Sequence, residues 1–223
     1  MDKVLEAIKP LSIHRVVRKG SVIIYQGEVP RSVFFVRRGI VKAYTLTNTG
    51  NEQVVSYFTK GELLALTWVF NKTSSSLYYY EAVEDCELYV LPRDDFHKLI
   101  SENQDIKNLL FDYFVNTNSG LLLRITALEQ QRAVEKIVFT LYYLMFRYGE
   151  QDEKGLYHIT LKLTHNSIAS LVGLTRETTA TELSKLKRKE ILDYNANEYV
   201  IDKAKLERVM GEDSFQDLNL NGT

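Results

Sequence analysis

The sequence predicts an α+β chain: an antiparallel β domain comes first, a long helix follows, and a smaller helical domain with a β-hairpin comes last. Two observations carry this. Between about residues 15 and 91, short runs rich in Val, Ile, Tyr and Phe are punctuated by Gly20, Gly27, Gly39, Gly50 and Gly61, which is the spacing of hairpins. After Asp94, Gly becomes sparse, no Pro follows Pro92, and apolar residues recur at intervals of three and four, the period of helices.

Alternation is clearest in Val22-Ile23-Ile24-Tyr25, Val33-Phe34-Phe35-Val36, Ile40-Val41-Lys42-Ala43-Tyr44 and Val54-Val55-Ser56-Tyr57-Phe58. Asn48-Thr49-Gly50-Asn51 supplies a turn whose residues tolerate positive φ. Short strands at this spacing argue a sandwich or barrel. The first long helix, about Asp105 to Leu128, sets Leu110, Phe114, Thr117, Leu121, Arg124 and Leu128 at intervals of four and three, the pattern of a coiled-coil seam. Such a stripe calls for a partner helix, or it covers its own domain's sheet. Phe111, Val115, Leu122 and Ile125 could do that second job from the adjacent face. The next helix, about Arg132 to Tyr148, is apolar at Val134, Ile137, Val138, Leu141, Leu144 and Met145, as befits the core helix of a second domain.

From His158, alternation at Ile159, Leu161 and Leu163 predicts a short strand. Ile168 to Thr175 then reads as a short helix closed by the turn at Gly173, with Thr175 as N-cap of the following helix. In that helix Thr179, Leu183 and Leu186 share one face, while Arg176, Glu177, Ala180, Thr181, Ser184 and Lys185 share the other. Ile191 to Ile201 forms a hairpin around Asn195-Ala196-Asn197, and Asp202 caps a last helix. Helix, Gly turn, helix and hairpin together make a winged helix-turn-helix.

The outward face of the second helix has the chemistry to read DNA. Arg176 can contact guanine with two hydrogen bonds, Glu177 can accept from a cytosine amine, and Thr178 or Thr181 can touch phosphate or a thymine methyl. Lys185, Lys187, Arg188 and Lys189 place positive charge beside the backbone. A charge run alone is usually a solvated face. Here it ends a helix that has a capped turn before it and a wing after it.

These residues resemble the Crp/Fnr family of transcription regulators, named for the cyclic-AMP receptor protein and the fumarate-nitrate regulator. The resemblance covers about Gly20 to Val200. It rests on Lys19-Gly20 through Gln26-Gly27-Glu28, Phe34-Phe35-Val36-Arg37-Arg38-Gly39, Gly61-Glu62, Leu91-Pro92-Arg93, and Ile168 to Leu186 with Thr175-Arg176-Glu177-Thr178. It implies a cyclic-nucleotide-binding-like β-roll (jelly roll) sensor over 1–103, a dimerisation helix over 104–130, and a winged helix-turn-helix over 131–211. An acidic tail, expected to be flexible, occupies 212–223. The resemblance further implies a homodimer reading a palindromic operator, with Arg176, Glu177 and Thr181 at bases and Thr164, His165, Thr175, Thr178, Lys185 and Lys187 at phosphates. The usual family outcome is activation by contact with RNA polymerase.

Departures from the family are as informative. Where many members carry a further base-reading Arg, this chain has Thr181. The family's Gly-Glu and Arg-Ser pairs, which hold the ribose and phosphate of cyclic AMP, align with Ala65-Leu66 and Ser76-Leu77, and the adenine-binding positions fall on Leu121 and Leu122. A cyclic phosphate would find neither cation nor ribose acceptor, and unpaired polar groups in a pocket cost several kcal/mol. Cyclic AMP is therefore not expected as effector. The candidate pocket residues are Leu66, Trp68, Leu77, Tyr78, Leu121 and Leu122, with core packing as the alternative for the aromatic cluster.

Composition bounds the remaining classes. Among 223 residues, 45% hydrophobic and 26% charged exclude general disorder, and no stretch approaches the roughly 20 apolar residues of a membrane span. Met1 to Glu6 lacks a signal-peptide core, so a cytoplasmic location is expected. One Cys, Cys86, builds neither an internal disulfide nor an iron-sulfur site; its acidic neighbours Glu84, Asp85 and Glu87 disfavour a thiolate, and a small apolar residue in a strand is the expected role. No metal or cofactor is expected. No His lies between Gly20 and Pro92, and a His-x-His motif, a nucleophile elbow and a P-loop are all missing, which argues against an enzyme. The other open alternative is a ligand-binding module that acts through protein partners. The net charge of −1 speaks against nucleic acid only as an average, because electrostatic footprints are local.

Overall fold

Glycine-punctuated alternation becomes two antiparallel sheets in the computed structural model, which describes residues 1–50, 52–159, 161–195 and 198–211. The strands are β1 (Ile13–Val17), β2 (Val22–Ile24), β3 (Ser32–Arg38), β4 (Val41–Leu46), β5 (Glu52–Phe58), β6 (Tyr79–Ala82) and β7 (Cys86–Pro92). They pair in the orders β1-β7-β3 and β2-β6-β4-β5. Val33, Phe35, Leu88 and Leu91 from one sheet and Ile24, Val41, Tyr80 and Ala82 from the other build one core. Val4 and Ile8 of α1 (Asp2–Ile8) and Phe96 of α3 (Arg93–Glu102) join it.

Gly39 is required where β3 turns into β4. Its φ is +94°, and a Cβ there would lie 2.7 Å from Cys86 Sγ and 2.9 Å from Asp85 O. Cys86 is fully buried, its thiol donating to Ile40 O and Glu84 O at 3.3 and 3.2 Å. Burial pushes its pKa up, the opposite of what a reactive thiolate needs.

The chain divides into two compact units, Met1–Phe114 and Val115–Thr223. The boundary falls inside α4 (Gln104–Glu129), so the predicted dimerisation helix is shared between them. The expected tail at 212–223 lies outside the described residues, as do Thr160 and the wing-turn residues Ala196 and Asn197.

On α4 the residues expected as a seam divide between a buried and an exposed side. Leu110 is buried with Ile106 and Tyr113 in the first unit's core, and Phe114 packs edge-on against Phe70 at 5.0 Å. Thr117 accepts a hydrogen bond from Arg147 at 3.4 Å. The exposed apolar residues of α4 are Leu121 and Leu128 of that set together with Phe111, Val115, Leu122 and Ile125. Positions seven apart stay buried along the helix, at Ile106, Tyr113, Gly120 and Ala127, and the expected stripe straddles the edge of that buried side: Leu110 is buried, Phe114, Thr117 and Arg124 are half-buried, and Leu121 and Leu128 are exposed.

In the second unit α5 (Ala133–Tyr148) is the core helix, with Ile137, Val138, Leu141, Leu144 and Met145 buried. It packs on α6 (His165–Val172), α7 (Arg176–Arg188) and α8 (Lys203–Met210). A four-stranded sheet, β10-β11-β9-β8, completes it, from β8 (Gly149–Gln151), β9 (Leu156–Ile159), β10 (Leu192–Tyr194) and β11 (Tyr199–Asp202). The strand expected over Ile159, Leu161 and Leu163 therefore lies earlier. Ile159 pairs with Tyr199 as the last ladder residue, whereas Leu161 and Leu163 are buried without strand partners among the described residues. Their alternation reflects core contact alone.

Candidate nucleic-acid interface

The helix-turn-helix is built by two threonine caps and one glycine. Thr164 Oγ1 accepts from Ser167 N at 3.0 Å to start α6, and Thr175 Oγ1 accepts from Thr178 N at 3.1 Å to start α7. Between them Gly173 adopts φ +68°, the left-handed conformation that ends helices. Leu174 N then bonds Ala169 O at 3.1 Å. Thr179, Leu183 and Leu186 anchor α7 on the core, which leaves Arg176, Glu177, Thr181, Lys185 and Arg188 exposed.

On that face the predicted base readers are available. Neither Arg176 nor Glu177 makes a side-chain hydrogen bond or ion pair among the described residues. Thr181 is exposed, but its hydroxyl donates to Glu177 O at 2.9 Å. At the helix N-terminus, acidic and polar side chains stand beside free backbone N–H groups, which suit phosphate oxygens. Thr175 caps that end and Thr178 lies in its first turn, the Thr175 hydroxyl donating to Thr178 Oγ1 at 2.9 Å, while Thr164 caps α6.

The two lysines expected at phosphates part company. Lys185 is exposed and pairs with Glu182 at 2.7 Å, a surface contact of about 0–1 kcal/mol that a phosphate can replace. Lys187 reaches back to the wing: its ammonium lies 2.5 Å from Asp193 and 4.9 Å from the centre of the Tyr194 ring. The hydrogen bond to Asp193 raises the Lys187 pKa and lowers that of Asp193. Lys187 thus links α7 to the wing while staying exposed, beside the exposed Arg188 and Lys189.

Tyr194 was not singled out by sequence reasoning. It stacks on Tyr199 at 5.3 Å across the β10–β11 pair, and His165 meets its ring edge-on at 5.2 Å. His165 therefore joins the start of α6 to the wing. The sequence signal was present, since Tyr194 and Tyr199 flank the hairpin turn at positions that face each other. A second cluster missed by sequence reasoning steadies the wing from behind: His158 Nδ1 lies 2.7 Å from Glu198 and its Nε2 3.0 Å from Asp152. These two carboxylates raise the imidazole's pKa, the Asp152 hydrogen bond contributing most.

Of the candidate pocket residues, Leu66, Trp68 and Tyr78 pack on the core of the first unit. Leu66 and Trp68 lie on the short helix α2 (Leu66–Val69), preceded by Ala65 at φ +52°. Trp68 is buried, with the Arg93 guanidinium 4.6 Å above its ring. Arg93 donates to Trp68 O and Val69 O at 2.8 and 3.1 Å, and His97 donates to Val69 O at 2.8 Å. Ser76 is buried, its hydroxyl donating to Tyr78 O at 2.8 Å, while Leu77 is exposed. Leu121 and Leu122 lie in the second unit on the exposed side of α4.

Comparison with known proteins follows the same order along the chain. Residues 14–103 match the cyclic nucleotide-binding domain and residues 135–209 the Crp-like helix-turn-helix domain. The fumarate and nitrate reduction regulatory protein of Vibrio cholerae is 24% identical over 192 residues, covering 86% of this chain and 73% of that protein. The HTH-type transcriptional regulator ArcR of Staphylococcus haemolyticus is 29% identical over 200 residues, covering 89% and 86%. In fold, a CooA variant from Carboxydothermus hydrogenoformans superposes with a TM-score of 0.75 at 19% identity, over 93% of this chain and 95% of that one. Both domains in their family order, and relatives that are regulators along most of their length, place the chain in the Crp/Fnr family of DNA-binding transcription regulators, which are not enzymes.

Proposed function

We propose that the chain acts as a homodimer that sets two copies of α7 into successive major grooves of a palindromic operator, about 34 Å apart, without cyclic AMP. One observation carries the reading: among the described residues, Arg176 and Glu177 stand unpaired on the first turn of an exposed helix whose opposite face is locked in a core. Their donors and acceptor match guanine and cytosine edges. Lys185, Arg188 and Lys189 supply charge toward the backbone, and the tyrosine-braced wing supports its flank.

The exposed stripe Phe111, Val115, Leu122 and Ile125, with Leu121 and Leu128 beside it, supports pairing of α4 with its copy. At the effector cassette, Leu66 offers no carboxylate, and the hydroxyl of Ser76, which aligns with the phosphate-binding pair, is buried and donates to Tyr78 O. This supports regulation that does not use cyclic AMP in the family's manner. Activation through RNA polymerase belongs to the reading on family grounds alone.

The test is binding to a duplex that the purified protein selects from a randomised library. Arg176→Ala is expected to weaken that binding by about tenfold or more, while salt-sensitive binding to random DNA persists. Equal affinity of variant and wild type for the selected duplex refutes the assignment.

A further inference from the structure

We propose that Thr181 reads a thymine through its methyl group, so that each half-site carries one preferred T·A pair beside the pairs contacted by Arg176 and Glu177. The inference rests on α7 being the groove helix. Thr181 follows Glu177 by one helical turn and precedes Lys185 by another, so it sits on the exposed face between a base reader and a backbone cation.

The hydroxyl is the obvious reader, and its hydrogen is already committed. Thr181 Oγ1 donates to Glu177 O at 2.9 Å, and Ser184 Oγ, the next hydroxyl along the helix, donates to Ala180 O at 2.7 Å. Hydroxyls on helices take this i−4 bond readily, and it fixes the side-chain rotamer. A hydroxyl so bonded has no hydrogen to give to guanine O6 or N7. Thr181 therefore turns apolar surface to the groove, and the neighbouring Ala180 can add only another methyl. Thymine is the one base of DNA whose major-groove edge carries a methyl. The middle of this helix thus discriminates by apolar contact, where its first turn discriminates by charge and hydrogen bonding.

Two chemistries can be separated by a deoxyuridine scan. On the selected duplex, each thymine is replaced in turn by deoxyuridine, which removes the methyl and keeps every hydrogen-bonding group. The expected result is one sensitive position per half-site, weakened about three- to fivefold as one lost methyl contact. Thr181→Ser, which keeps the hydroxyl and its helix bond but lacks the methyl, should bind thymine and deoxyuridine duplexes alike. Thr181→Val should retain the preference. The inference is overturned if no thymine is sensitive in the wild type, or if Thr181→Ser keeps the sensitivity; a shift of Thr181→Val away from the wild-type site would mean that the hydroxyl reads as an acceptor. If the selected duplex needs Arg176 but shows no methyl dependence, only this inference fails. If no duplex is enriched, the groove reading falls and takes it along.

Discussion

Thr179 holds a hydroxyl in the core of the second unit, fully buried and with no hydrogen-bond partner among the described residues. An unmet buried hydroxyl costs about 1–3 kcal/mol. Thr179→Val keeps the shape and removes the polar atom, so it should stabilise the protein by about 1 kcal/mol and raise its melting temperature by a few degrees, with DNA affinity unchanged. A lower melting temperature would mean that the hydroxyl has a partner in solution. The sequence placed Thr179 correctly on the buried face, because period 3.6 fixes which side a residue takes. It could not show the missing partner, which depends on distances to α5 and α6. Lys187 illustrates the same divide. As a cation near a helix end it read as a phosphate contact, but the residue that claims it, Asp193, comes from a hairpin whose approach no helical periodicity encodes. The Thr175 cap was legible because a cap is a local device, complete within four residues, whereas Thr164 was expected at a phosphate and its cap on α6 comes from the structure.

At the scale of elements the wing depends on His158. Its β9 position sets it between Glu150 of β8 and Val200 of β11, and its ring bridges Asp152 and Glu198. Only the protonated ring donates to both carboxylates at once. The folded-state pKa is raised, so the stabilisation is complete below the unfolded value of about 6.5 and is lost as pH rises through the higher folded value. Thermal unfolding should therefore show stability falling as pH rises above about 6.5, and His158→Gln should flatten that slope. An unchanged slope in the variant would remove His158 from the account. None of this was visible in the sequence, since Asp152 and Glu198 come together through the pairing of three strands. The strand expected at Ile159 to Leu163 failed for a related reason: alternation records which side chains meet the core, and a ladder needs a neighbour as well.

For the whole molecule, α4 carries the claim of a dimer. Ile125 is exposed in the single chain whereas Leu110 is buried, and two substitutions exploit that contrast. Ile125→Arg should leave both units folded but convert dimer to monomer in light scattering, because an unpaired charge in a buried seam costs about 3 kcal/mol or more. Leu110→Arg should unfold the first unit. A stable Ile125→Arg dimer would move the interface elsewhere. The order of β domain, long helix and winged helix-turn-helix was readable from the change in period near Asp94 and from the caps. Which apolar face of α4 stays exposed was not, because the adjacent apolar stripes differ by one residue and only packing on the first core decides between them. The most direct test of dimeric, cyclic-AMP-independent DNA reading is selection from randomised duplexes by the purified wild-type protein in nucleotide-free buffer. The expected result is an inverted repeat whose half-site centres lie about one helical turn apart, bound equally well with and without added cyclic AMP. A single asymmetric site, no enrichment, or enrichment only when cyclic AMP is present would contradict it.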